Sequence, residues 1–289
     1  MRPSQWISAA VLVVLVSFSA YAQTKKIVFV AGPKDHGAPG RHEHEKDLRV
    51  LAYSLENSSN LKGVTTQVIV GQVPRDLSQI RDAAVIVLES SSDRAPKETH
   101  ALFPNNAATD GKTYDAETTA FLNSFGELLK KGTGLVVFHY ATWPQNEAGR
   151  QYYLDWLGGY YKQGVSANPV DDWTMTPKAE NHPILRGVKP WTYREEVFSK
   201  FVLPEEYKTI PLLIGTPAKK VDYGPQVASW AYERPGGGRG FVMGGLDWHS
   251  NMLIEDNRRF LLNGIVWAAG MEVPAGGVAS TLPEGMVPK

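Results

Sequence analysis

The chain has 289 residues, 43% of them apolar and 21% charged, the make-up of an ordinary globular protein long enough to bury a large core without staples. Lysine and arginine number 30 and aspartate and glutamate 30, so no net field draws the chain toward nucleic acid or an anionic membrane. Cysteine is absent, which excludes disulfides, thiolate metal sites and a cysteine nucleophile.

Arg2, an apolar run over 6–18 and Ala20-Tyr21-Ala22 have the form of a secretory signal peptide, with cleavage expected after Ala22. The run is short for spanning a bilayer. The mature chain is therefore expected to be soluble, periplasmic or secreted, with no membrane attachment. Residues 25–32 read as a buried strand ending in glycine. Beyond a polar loop, Leu48, Leu51, Ala52 and Leu55 mark an amphipathic helix. Strands are predicted over 66–70 and 83–88, a long loop over 95–113, a helix over 115–131 and a strand over 134–138 that runs into His139. This rhythm of β-branched runs and helices predicts a doubly wound, mostly parallel sheet with right-handed crossovers. Further on, a helix is predicted over 152–157 and a short strand over 172–176. Strands over 209–214, 226–232 and 240–244 are spaced closely enough for an antiparallel extension, and a helix over 255–269 closes the series. Residues 23–274 read as one α/β domain and 275–289 as an irregular tail.

In open α/β sheets ligands bind outside the carboxyl ends of the strands. Those ends carry Asp35, His36, Arg41, His42 and His44 after the first strand, Glu89 after the third, and His139 and Trp143 after the fourth. Asp247, Trp248, His249 and Asn251 follow the last. Five of the seven histidines fall in these loops, which predicts a polar crevice there. His42 and His44 are two apart, unlike the H-E-x-x-H zinc motif, so only one of them can face a given ion. His139 occupies the strand-to-turn junction where α/β enzymes display a reactive side chain; it suits a general base, a ligand or a hydrogen-bond donor. Glu195 and Glu196 are adjacent on a strand, so only one faces the site. The glycines of 236–240 precede a strand and lack the lysine and helix of a phosphate loop; they read as a hairpin turn, and no nucleotide cofactor is expected.

Several stretches together resemble one family. They are Gly40-Arg41-His42-Glu43-His44-Glu45, Gly134-Leu135-Val136-Val137-Phe138-His139, Asn181-His182-Pro183-Ile184-Leu185-Arg186-Gly187, Glu195-Glu196-Val197-Phe198, Gly244-Gly245-Leu246-Asp247-Trp248-His249 and Asn263-Gly264-Ile265-Val266-Trp267. In that order they resemble the trehalose-utilisation (ThuA-like) domain family, within the class I glutamine-amidotransferase-like superfamily. The resemblance implies a flavodoxin-like three-layer α/β sandwich and an edge site without the amidotransferase cysteine. It also implies a role in saccharide catabolism, alongside oxidoreductases that make 3-keto sugars. Phe198 stands where the family more often has tyrosine, and Asp247 and His249 are offset from its late Gly-His motif, so that carry-over extends to His249 alone.

The expected function is an enzyme that moves protons on a sugar or 3-keto-sugar derivative by hydration, isomerisation, elimination or hydrolysis. His139, Glu196 and Glu89 are the candidate acids and bases. His42, His44 and His249 are the candidate ligands of a divalent metal, zinc or similar. Arg41, Trp143, Trp173, Trp248 and Asn251 are the candidate saccharide contacts. The alternative is a non-catalytic carbohydrate-binding module of the same fold. Amidotransfer is excluded by the missing thiol.

Overall fold

The apolar run that follows the leader-like segment forms β1 (Lys25–Ala31), the second strand from one edge of a nine-stranded sheet. The computed structural model describes residues 24–94, 98–105, 110–219 and 224–287, so the signal-peptide segment lies outside the described residues. β2 (Val64–Val70), β3 (Ala83–Glu89), β4 (Gly134–Phe138) and β9 (Arg239–Met243) run parallel with β1. β8 (Gln226–Glu233), β7 (Ile210–Pro217), β5 (Val170–Pro177) and β6 (Trp191–Glu196) continue the sheet antiparallel. The order is β2-β1-β3-β4-β9-β8-β7-β5-β6.

Because side chains alternate across a strand, each parallel strand feeds two cores. Ile27, Phe29, Val85, Val87, Val136 and Phe138 pack with α1 (His44–Glu56) and α4 (Glu255–Ala268). Val28, Val30, Ile86, Leu88, Leu135 and Val137 pack with α2 (Ala116–Lys130) and α3 (Glu147–Leu157). Helices thus cover both faces of the parallel half, a three-layer α/β sandwich. Its first four strands follow the flavodoxin-like order, which brings their carboxyl ends to one rim. The antiparallel half alternates instead: on β5, Asp171, Trp173 and Met175 are buried while Asp172, Thr174 and Thr176 are exposed.

Three elements differ from the sequence reading. α3 begins at Glu147 rather than 152, because Asn146 caps it by accepting from the Ala148 N–H and its first turn is polar, without apolar period. β6 extends the strand expected at Glu195-Glu196 back to Trp191; Thr192 and Arg194 are exposed, a pattern too short and too charged to stand out, while Glu196 at its end is half-buried. The segment 271–287 has no helix or strand, yet it is anchored: Val278 is fully buried, its N–H donates to Asn263 Oδ1 at 2.8 Å, and Asn60 Nδ2 donates to Gly277 O at 2.9 Å.

Candidate functional site

The loops after β1 and β9 are stitched together. His42 N–H donates to Asp247 O at 2.9 Å, His249 N–H donates to Gly40 O at 2.9 Å, and Arg41 bridges Trp248. His139 follows β4 directly, and Gly244 follows β9. His42 and His139 both adopt left-handed backbone, with φ of 50° and 48°, which costs a non-glycine residue energy, and their ring centroids lie 5.2 Å apart. Glu196 comes from the last residue of β6, at the far edge of the sheet.

These four segments place His42, His139, Glu196 and Asp247 so that one ligand atom from each lies within 4.8 Å of the others. His42 Nε2 is 3.4 Å from His139 Nε2 and 3.1 Å from Asp247 Oδ1, and His139 Nε2 is 3.9 Å from Glu196 Oε2. The opposite ring nitrogens are engaged: His42 Nδ1 donates to Asp35 Oδ1 at 2.7 Å, and His139 Nδ1 donates to the Gly244 carbonyl at 3.2 Å. Both acceptors lack hydrogens, so each Nδ1 carries a proton; the neutral His139 turns its Nε2 lone pair toward the centre, where the His42 Nε2 proton faces it and Asp247 Oδ1. Asp247 Oδ1 is buried without an aligned hydrogen-bond donor among the described residues. Its Oδ2 accepts from Arg41 Nε at 2.6 Å, and Arg41 Nη2 donates to Glu196 Oε2 at 3.1 Å. Asn168 Nδ2 holds the other Glu196 oxygen at 2.8 Å.

The electrostatics follow from this crowding. Burial alone would lower the His42 pKa, but the Asp247 and Asp35 carboxylates outweigh it and raise it to about 9. Burial, and then the charge of His42, pushes His139 down to about 3. Burial opposes ionisation of Asp247, yet His42, His139 and Arg41 hold it below the usual carboxylate range. Burial, then the neighbouring Asp247 charge, raises Glu196. With no cation, a proton on His42 Nε2 is the only charge between two imidazoles and a carboxylate. The set of two nitrogens and two carboxylates could equally hold a metal ion: donors about 2.1 Å from a tetrahedral ion stand about 3.4 Å apart. Each histidine also has the outer hydrogen bond that ligating histidines show.

The fold brings together only part of the expected set. His42, His139 and Glu196 meet in the cluster, with Arg41 bound to its carboxylates and stacked 4.4 Å over the Trp248 ring. His44 does not join them: it is buried at the start of α1 beside the Gly32 and Pro33 carbonyls, and burial holds its pKa down at about 4. His249 does not either, because its Nδ1 faces Asp47 Oδ1 at 2.7 Å, under α1. Glu89 lies on the same strand face as Val85 and Val87, and so beneath α1 against Asp47. Trp173 is fully buried in the sheet extension, with Nε1 donating to Pro169 O. Asn251 holds Glu195 rather than the crevice. Trp143 belongs to an aromatic wall with Tyr140, Tyr161 and Phe198, and the Phe198 ring centroid is 4.6 Å from that of His139. Asp247, set aside for its offset from the family's motif, replaces His249 in the cluster. Leu246, at φ 111°, bends the chain there, a kink that motif spacing does not register. Asp35 and Asn168, which orient His42 and Glu196, carry no sequence signal beyond their loop positions.

A family model described as trehalose utilisation matches residues 75–268. Among solved structures, a ThuA-like protein from Bacteroides uniformis ATCC 8492 superimposes with a TM-score of 0.60 at 12% identity, covering 89% of this chain and 96% of that one. A ThuA-like protein from Parabacteroides merdae ATCC 43184 gives 0.53 at 16% identity, covering 91% and 94%. No curated protein matches the chain in sequence. With two thirds of its length matched by the family model and the whole architecture shared, this chain belongs to the trehalose-utilisation (ThuA) family.

Proposed function

We propose that His42, His139, Glu196 and Asp247 hold a divalent cation, zinc or similar, and that the centre acts on a saccharide carbonyl, a 3-keto sugar in the first instance. One observation carries the reading: two imidazole Nε2 atoms, each ring fixed by a hydrogen bond on its far side, lie 3.4 Å apart beside Asp247 Oδ1, the spacing of donors around a tetrahedral ion. In the ion-free protein the His42 proton lies in this gap, and a divalent ion that displaces it would take both nitrogens and the carboxylates as donors. The charge balance fits a neutral substrate. Asp35, Asp247 and Glu196 are offset by Arg41 and a doubly charged ion, which leaves no surplus to attract a phosphate.

A bound divalent ion supplies Lewis-acid polarisation of a carbonyl oxygen. The chain's own residues supply the rest. Arg41 and Asn168 fix Glu196, Asp35 fixes the His42 ring, and the aromatic wall of Tyr140, Trp143, Tyr161 and Phe198 keeps water from the rear of His139. Membership in a trehalose-utilisation family supports the saccharide, and the leader-like residues 1–22 support action in the periplasm or outside the cell.

The test is metal analysis of the mature protein followed by turnover of 3-keto and ordinary disaccharides. The expected outcome is about one tightly held ion per chain, with conversion of keto sugars that a chelator stops and added zinc restores. Conversion unaffected by the chelator, or sugar binding without conversion, overturns the reading, and the second outcome favours a binding module. Asn168→Ala is expected to weaken zinc binding by about 10–100-fold in calorimetry while leaving the fold intact, the usual effect of releasing a ligand's outer hydrogen bond.

A further inference from the structure

His36 stands against this centre without entering it. Its ring meets the His42 ring edge-on at 4.4 Å and the Tyr140 ring at 5.5 Å. The ligand histidines are buried, but 54% of the His36 side chain is exposed. Its Nδ1 lies 3.2 Å from Asp35 Oδ2 and 3.9 Å from Glu98 Oε1. Glu98 is itself held by the Tyr140 hydroxyl at 2.8 Å and by Arg94 at 3.2 Å. No hydrogen bond engages His36 Nε2 among the described residues. A second ion between Asp35, His36 and His42 does not suit these contacts, because Asp35 already accepts from His42 Nδ1, from the His36 N–H and from Ser91 Oγ. Asp35 instead joins two histidines of different kind, one buried in the cluster and one open to solvent. An imidazole anchored by carboxylate on one nitrogen presents the other as a proton acceptor.

We propose that His36 is a catalytic residue that carries the substrate's proton between carbons. Its Nε2 takes the hydrogen beside the carbonyl of a keto saccharide seated over the cluster. The C–H electron pair becomes the carbon–carbon double bond of an enediolate, and the carbonyl π pair moves to oxygen. The hydroxyl proton on the deprotonated carbon passes to the enediolate oxygen, the carbonyl re-forms at that carbon, and the double-bond pair takes the proton back from Nε2 at the former carbonyl carbon, so the net change is isomerisation and needs no redox partner. The proposal rests on the function proposed above and adds to it the identity of the base and the class of reaction.

The probe is a methyl 3-keto-glucopyranoside with zinc in D2O, its carbon-bound hydrogens beside the carbonyl followed by proton NMR. Wild type is expected to exchange them. His36→Gln is expected to slow exchange at least about 100-fold, the scale of a lost general base. Its zinc affinity by calorimetry is expected to stay within about twofold, since His36 is no ligand. Free imidazole is expected to restore part of the rate in His36→Ala. Exchange by His36→Gln at the wild-type rate overturns the role of His36 alone. Loss of zinc affinity in step with exchange also overturns it, because His36 would then be part of the ion's cage. Absence of exchange in zinc-loaded wild type overturns this inference together with the keto-sugar reading beneath it.

Discussion

Asp247→Asn is expected to cost at least about 100-fold in zinc affinity, about 2.7 kcal/mol, and to take keto-sugar turnover with it. The carboxylate does two things that an amide cannot. Its Oδ1 offers an anionic donor 3.1 Å from His42 Nε2, and its Oδ2 anchors the Arg41 guanidinium at 2.6 Å. The amide is neutral and nearly isosteric, so a loss of affinity without a loss of melting temperature would separate ligation from packing. Wild-type zinc affinity should also depend on pH with a defined sign. In the ion-free protein His42 holds its proton up to about pH 9, because Asp247 and Asp35 outweigh the opposing effect of burial. The ion must displace that proton, so affinity should rise about tenfold per pH unit until that point and level off above it. Calorimetric affinity that is flat between pH 6 and 8 would contradict this assignment of the displaced proton.

Asp47→Ala is expected to destabilise the protein by about 3–5 kcal/mol, a fall of roughly 10 °C in melting temperature, without touching the proposed ligands. Asp47 is fully buried on α1, where its Oδ1 holds His249 Nδ1 at 2.7 Å and its carboxyl neighbours that of the buried Glu89. Truncation strands both partners. Two facing carboxyl groups persist in a core only with a proton between them, and burial together with the Asp47 charge raises the Glu89 pKa well above the ordinary range. Glu89 therefore carries a proton in the folded state that the unfolded chain releases above about pH 4.5. Its contribution to stability is complete below that pH and is lost as pH rises toward the folded value. Glu89→Gln keeps a donor to Asp47 and removes the titration. Thermal melts should show the variant gaining on wild type from pH 5 to pH 8, and parallel curves over that range would refute a shared proton.

The legible part of this molecule is what local pattern encodes. β1, β3 and β4 are continuous apolar runs because helices cover both of their faces, and His139 stood out as the first polar residue beyond one of them. The parity of His42 and His44 implies that only one of them joins a shared cluster, and the left-handed turn at His42 makes it that one. Glu89 looked like a rim residue because it ends a strand. The strand's twofold alternation places it with Val85 and Val87 instead, under α1, and makes it a partner of Asp47. Trp173 is misleading for the same reason, since it shares the buried face of β5 with Met175. What the sequence hides is convergence at long range. Asp247 reaches His42 across the sheet, and Glu196 reaches His139 from the opposite edge, through an antiparallel extension whose register no single segment announces.

The backbone at positions 42 and 139 has a cost that outlasts any one reaction. Left-handed torsions suit glycine, and a histidine held in one spends on the order of 1 kcal/mol that a glycine there would not. Glycine at either place would relieve that strain but remove a buried ring that holds Asp35 or packs on Phe198, so neither turn can be eased without dismantling the cluster.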